Sequence, residues 1–153
     1  MEEEAQRISR PFWVLDTNVF VSAAITPDGV CAELIRRAVD GQFTLAWDNR
    51  VLREYRDVLQ RPRFRLSPET LQQLLTALPQ AGLHVGARKS FGLPDPSDEI
   101  FLAVALATPD RVLITGNPKH FPIVTMKRLE VTILTPRDAL NRLSSGGPLK
   151  KDP

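Results

Sequence analysis

Short apolar runs alternate with longer stretches that carry helical spacing. "PFWVLD" (11–16), "FTLAW" (43–47), "VLIT" (112–115) and "VTILT" (131–135) read as buried strands, and "LHV" (83–85) as a further short one. Between them lie helical patterns. One runs from about Val30 to Val39 and closes at Asp40–Gly41. A second, "RVLREYRDVLQ" (50–60), follows Asp48 or Asn49 as N-cap, places Leu52, Tyr55 and Leu59 on one stripe, and stops at Pro62. A third has Ser67 as N-cap, Pro68 at the first helical position and a stripe of Leu71, Leu74, Leu75 and Leu78. "DPSDEIFLAVALAT" (95–108) is apolar on every face beyond its first turn, which predicts a buried helix. "PRDALNRL" (136–143) is a closing helix, and "SSGGPLKKDP" (144–153) reads as a flexible end.

Strands alternating with helices predict an α/β fold, with about five parallel strands and helices on both faces. The expected organisation is one domain over 12–143, with terminal extensions 1–11 and 144–153. In open sheets of this kind ligands bind beyond the carboxyl ends of strands, where strand order reverses. If the first and fourth strands are neighbours, Asp16 meets the stretch "LITGNPKHFP" (113–122) at one crevice.

Composition narrows this little. The 153 residues are 42% apolar and 25% charged, ordinary for a globular chain, and the net charge is +2. Six arginines, Arg50, Arg53, Arg56, Arg61, Arg63 and Arg65, fall in one short window. Arg53 and Arg56 share the outer face of their helix, whereas Arg61, Arg63 and Arg65 lie in a loop and are better placed to meet phosphates. A single cysteine, Cys31, excludes an intrachain disulfide and fits a reducing compartment. "MEEEAQR" is acidic with no apolar segment behind it, and "IFLAVALA" (100–107) is too short to cross a bilayer. The expected location is cytoplasmic, away from membranes.

The acids carry the candidate chemistry. Asp16 ends a buried strand, where a carboxylate needs protons, a cation or water, although it also suits the N-cap of a segment starting near Thr17. Asn18 could orient Asp16 or cap the turn. Glu54 can face the sheet edge, while Asp57 faces solvent; Glu54 could equally be an exposed acid on an ordinary helix. In "DPSDE", Asp95 as N-cap, Pro96 and Asp98 make a good helix start on their own. Yet this first turn is the only polar part of a buried helix, so its acids lie where core meets crevice. Periodicity does not choose between Asp98 and Glu99.

Other chemistries fall away. No G-x-G-x-x-G follows the first strand and no Walker-type loop is present. Two histidines and one cysteine do not make an ordinary structural zinc site. What remains is a set of carboxylates at strand and helix ends, hard ligands suited to Mg²⁺ or Mn²⁺.

"VLDTNVFVSA" (14–23), "LREYRDVL" (52–59), "DPSDEIFLAVALA" (95–107) and "LITGNPKHF" (113–121) resemble, in order, four landmarks of the PIN-domain family. The resemblance covers about residues 13–141 and is nearest to the bacterial toxins of toxin–antitoxin pairs, the VapC-like branch. It implies an α/β/α sandwich and a metal-dependent ribonuclease. By position Asp16 matches the family's first acid, Glu54 the second and Asp98 the third, so these imply the catalytic and metal-holding set for Mg²⁺ or Mn²⁺. Asn18 matches the polar residue supporting the first acid, and Thr115, Asp95 and Glu99 fall beside the set. Where the family often has a further Asp, this chain has Asn117, expected to aim its amide inward as a neutral stand-in. Arg61, Arg63, Arg65 and Lys119 would hold the RNA backbone. An antitoxin protein and a homodimer are implied by the family alone. Two rivals stand beside this reading: a phosphotransfer enzyme using Asp16 as nucleophile, and a non-catalytic module of the same fold that binds RNA or protein.

Overall fold

The computed structural model describes residues 10–86 and 90–145. Five parallel strands form one sheet in the order β3-β2-β1-β4-β5: β1 (Phe12–Leu15), β2 (Thr44–Trp47), β3 (Gln80–Gly82), β4 (Val112–Ile114) and β5 (Thr132–Leu134). Among the described residues seven α-helices flank it: α1 (Thr17–Ile25), α2 (Val30–Val39), α3 (Asn49–Leu59), α4 (Pro68–Ala77), α5 (Glu99–Leu106), α6 (Ile123–Leu129) and α7 (Pro136–Ser144). This is the expected α/β/α sandwich. Strands covered on both faces cannot alternate apolar with polar residues, which is why β1 and β4 read as continuous apolar runs.

The register makes the first and fourth strands neighbours. Val14 pairs with Leu113 and Leu15 with Ile114. β1 also pairs with β2, through Phe12 with Thr44 and Trp13 with Leu45. The chain therefore leaves β1 toward one side of the sheet and returns through β4 on the other. The carboxyl ends of β1 and β4 lie together at that reversal, and Asp16 N–H donates to Ile114 O at 2.9 Å.

α5 packs against β1, β2 and β4. Phe101, Leu102, Ala103, Val104 and Ala105 are all buried, so the helix has no solvent face. The rest of the core closes with aromatic contacts. The rings of Phe20 and Tyr55 lie 4.8 Å apart, and those of Trp13 and Phe43 5.0 Å apart.

Caps fall where the side-chain chemistry puts them. Asp48, not Asn49, caps α3 by accepting from Val51 N–H at 2.9 Å, and Ser67 caps α4 through Thr70 N–H at 3.0 Å. Three elements depart from expectation. The short third strand is Gln80–Gly82 rather than 83–85, because pairing with β2 fixes it. Gly82 sits under the Trp47 indole, and a Cβ there would come within 2.7 Å of the ring, so the apolar "LHV" cannot take that place. The helix after Asp95 begins as a 3₁₀ turn, Pro96–Asp98, before α5. α6 has no counterpart in the apolar pattern. The expected flexible end (144–153) falls almost wholly outside the described residues, as does the acidic start of the chain. No single described helix is long and apolar enough to cross a membrane.

Candidate metal centre

Asp16 follows β1 directly and is 6% exposed. It caps α1, with Oδ1 accepting from Asn18 N–H at 3.4 Å. Oδ2 accepts from the Thr115 hydroxyl at 2.8 Å. Thr115 is fully buried just after β4, and its oxygen also accepts from Asn117 N–H at 3.0 Å. One lone pair is thereby occupied, and the hydroxyl proton is left directed at Asp16. Among the described residues no hydrogen bond joins the Asn18 side chain to Asp16. The Asn18 Oδ1 accepts from Gly116 N–H at 3.2 Å and braces the loop after β4 against α1. The cap and the site are thus one residue.

Asp98 and Glu99, indistinguishable by spacing, are separated by the 3₁₀ turn. Asp98 is 6% exposed and its Oδ2 lies 3.0 Å from Nδ1 of His120. Glu99 turns to the preceding loop and accepts from Ser90 Oγ, Phe91 N–H and Leu93 N–H. Burial opposes its charge, but those hydrogen bonds outweigh it and hold the carboxyl below the usual range. Glu99 is a brace for the loop over α5. Asp95 caps the 3₁₀ turn through Ser97 N–H and Oγ.

The electrostatics of the two buried acids are alike. Burial pushes the Asp16 carboxyl up, against the hydrogen bonds from Thr115 and Asn18 and the attraction of His120. Burial also raises Asp98, and the charge of Asp16 raises it further. Among the described residues neither acid has a lysine or arginine partner. Two buried carboxylates that repel each other and lack a fixed cation fit a divalent ion, as does their hard oxygen chemistry.

Tyr55 locks the strand end. It is fully buried, and its hydroxyl donates to Leu15 O, the carbonyl just before Asp16, at 2.5 Å. Burial, then the charge of Asp16, pushes the phenol well above its ordinary range. Removing this hydroxyl orphans a buried acceptor. Tyr55→Phe is expected to cost about 1–3 kcal/mol, measured by urea denaturation; an unchanged midpoint would show that the bond contributes nothing.

The other expected residues are placed as follows. Glu54 is half-buried on α3, next to Tyr55, and Asp57 is exposed. The described metal-ligating atoms that lie within 4.8 Å of one another come from Asp95, Asp98 and His120, a set that holds neither Asp16 nor Glu54. Asn117 is exposed, and its contacts come from the backbone: N–H to Thr115 Oγ1, and O accepting from His120 N–H at 3.0 Å. Its side chain makes no cap hydrogen bond to the 3₁₀ turn Pro118–His120, which brings His120 to Asp98. Lys119 is exposed on that turn. Arg61, Arg63 and Arg65 are exposed around a second 3₁₀ turn (Pro62–Phe64), with the Arg63 guanidinium 4.8 Å from the Phe64 ring centroid. No hydrogen bond or ion pair among the described residues links them to Asp16 or Asp98. His120 is not in the expected metal-holding set; the signal for it is only its place in "NPKHFP", just beyond β4.

No curated protein matches the chain. The family model described as PIN domain matches residues 13–119, from within β1 to Lys119, one residue before His120. With the sheet order, the acid at the end of β1 and the polar first turn before a buried helix, this shows that the chain belongs to the PIN-domain family, whose members are generally metal-dependent nucleases.

Proposed function

We propose that this chain is a metal-dependent endoribonuclease and the toxin of a toxin–antitoxin pair. The observation that carries the nuclease reading is the buried pair Asp16 and Asp98, coupled in charge at the β1/β4 reversal. Asp16, Glu54 and Asp98 would hold Mg²⁺ or Mn²⁺. When bound, such an ion supplies Lewis-acid activation of water and charge neutralisation at the scissile phosphodiester. The chain's own part is orientation. Thr115 fixes one oxygen of Asp16 and Asn18 N–H the other, so the carboxylate is preset before substrate arrives. Lys119, exposed one residue from His120, would meet a backbone phosphate, and the exposed guanidinium groups of Arg61, Arg63 and Arg65 would hold the flanking strand. An antitoxin and a second copy of the chain are the proposed protein partners, and the cytoplasm the proposed location.

The test compares single-stranded RNA with DNA of the same sequence, with Mn²⁺ or Mg²⁺ and after chelation. The reading requires internal cleavage of RNA, lost on chelation. Equal cleavage of DNA would overturn the choice of RNA. For the toxin role, induction in cells should arrest growth, and a protein encoded beside this gene should relieve it. Normal growth on induction of an active nuclease would overturn that role alone.

A further inference from the structure

We infer that His120 is itself a metal ligand, so that this site is a mixed carboxylate–imidazole centre selecting a transition dication such as Zn²⁺ over Mg²⁺. The inference rests on the nuclease reading only for the presence of a cation, and its test uses no RNA.

The loop after β4 offers no carboxylate. Its sequence runs Thr115, Gly116, Asn117, Pro118, Lys119, His120. The Asn117 backbone shapes the turn: Thr115 Oγ1 accepts from its N–H, and its carbonyl accepts from His120 N–H. The turn delivers an imidazole to the crevice instead. Nδ1 lies 3.0 Å from Asp98 Oδ2, and one ligand atom from each of Asp95, Asp98 and His120 lies within 4.8 Å of the others. That spread is close to twice a metal–ligand distance of about 2.0–2.2 Å, so a small closure seats one ion among all three.

The groups are free to serve. Asp95 uses Oδ1 for both contacts with Ser97, and its other oxygen has no hydrogen bond among the described residues. The His120 side chain is 42% exposed, which leaves the centre open to ions from solvent. Asp98 beneath it is buried, and the negative charge of Asp16 adds to its own without an arginine or lysine in compensation. An all-oxygen site suits Mg²⁺; one imidazole among the oxygens shifts preference toward later first-row ions.

Calorimetric titration of the full chain with Zn²⁺ and with Mg²⁺, at one neutral pH and salt concentration, tests this. Wild type is expected to bind Zn²⁺ at least about tenfold more tightly than Mg²⁺, and His120→Gln to lose about tenfold or more in Zn²⁺ affinity while Mg²⁺ affinity changes by less than about threefold. His84→Gln, at the exposed second histidine, should match wild type for both ions. The second readout is ¹⁵N NMR of the two imidazoles in the wild-type protein, which needs no folded variant. The Nδ1 resonance of His120 should move on adding Zn²⁺, and that of His84 should not. Unchanged Zn²⁺ affinity in His120→Gln, or an unmoved Nδ1 resonance, overturns the inference. RNA cleavage with Zn²⁺ binding that ignores His120 sinks the inference alone. Zn²⁺ binding through His120 in a protein that cleaves no RNA supports it and sinks only the nuclease reading.

Discussion

Asp16→Asn should abolish cleavage and yet make the metal-free protein more stable. Loss of a preset charged group at the reacting centre typically costs at least about 10²–10³-fold in rate. The stability change has the opposite sign because Asp16 is held against its own preference. Its folded pKa lies above the ordinary value of 3.8, chiefly through burial. A raised acid contributes full stability below its unfolded pKa and loses it as pH rises through the folded pKa. At neutral pH the charged form is therefore a burden on the fold. The amide removes that burden and keeps one acceptor for the N-cap, where Asn and Asp rank alike, while its NH₂ has to turn the Thr115 hydroxyl from donor to acceptor. Each kcal/mol gained would raise the melting temperature by about 2–4 °C for a chain of this size. Differential scanning calorimetry at neutral pH and at mildly acidic pH checks the sign: wild type should approach the variant as pH falls. A variant less stable than wild type at both pH values would mean that the hydrogen bonds of Asp16 outweigh its burial.

A divalent ion should do for wild type what the amide does, and more. Binding only to the folded state adds RT ln(1 + [L]/Kd), about 2.7 kcal/mol at a hundredfold excess over Kd. Mn²⁺ is accordingly expected to raise the wild-type melting temperature by several degrees, roughly 5–10 °C, and Asp16→Asn by much less. Equal shifts in the two proteins would place the ion away from Asp16.

Much of this was legible in the sequence, for reasons that can be named. Asp16 was legible as a buried strand-end acid and as a cap, because both follow from its place between an apolar run and Thr17, and the buried β1 and β4 leave continuous runs that no surface element mimics. Ser67 and Asp48 were visible because capping is local chemistry. The parts that were hidden depend on contacts distant in sequence. Asp98 and Glu99 differ only through a 3₁₀ turn, and the partner of Asp98 stands 22 residues away. α6 leaves Ile123 and Val124 exposed and buries only Met126 fully, so no apolar stripe announces it. β3 is three residues of low strand propensity, held by its pairing with β2. His120 is hidden for the same reason: only the 3₁₀ turn after Asn117 brings its ring to Asp98.

The central claim is that Asp16 and Asp98 form one charge-coupled site suited to a divalent cation. Carboxyl ¹³C NMR titration of both residues, without and with saturating Mg²⁺, tests it most directly. The account predicts that both titrate above the ordinary aspartate range in the metal-free protein, that Asp16→Asn lowers the Asp98 value, and that Mg²⁺ brings the wild-type pair down together. Titration of both in the ordinary range, or values that ignore Mg²⁺ and each other, would contradict it.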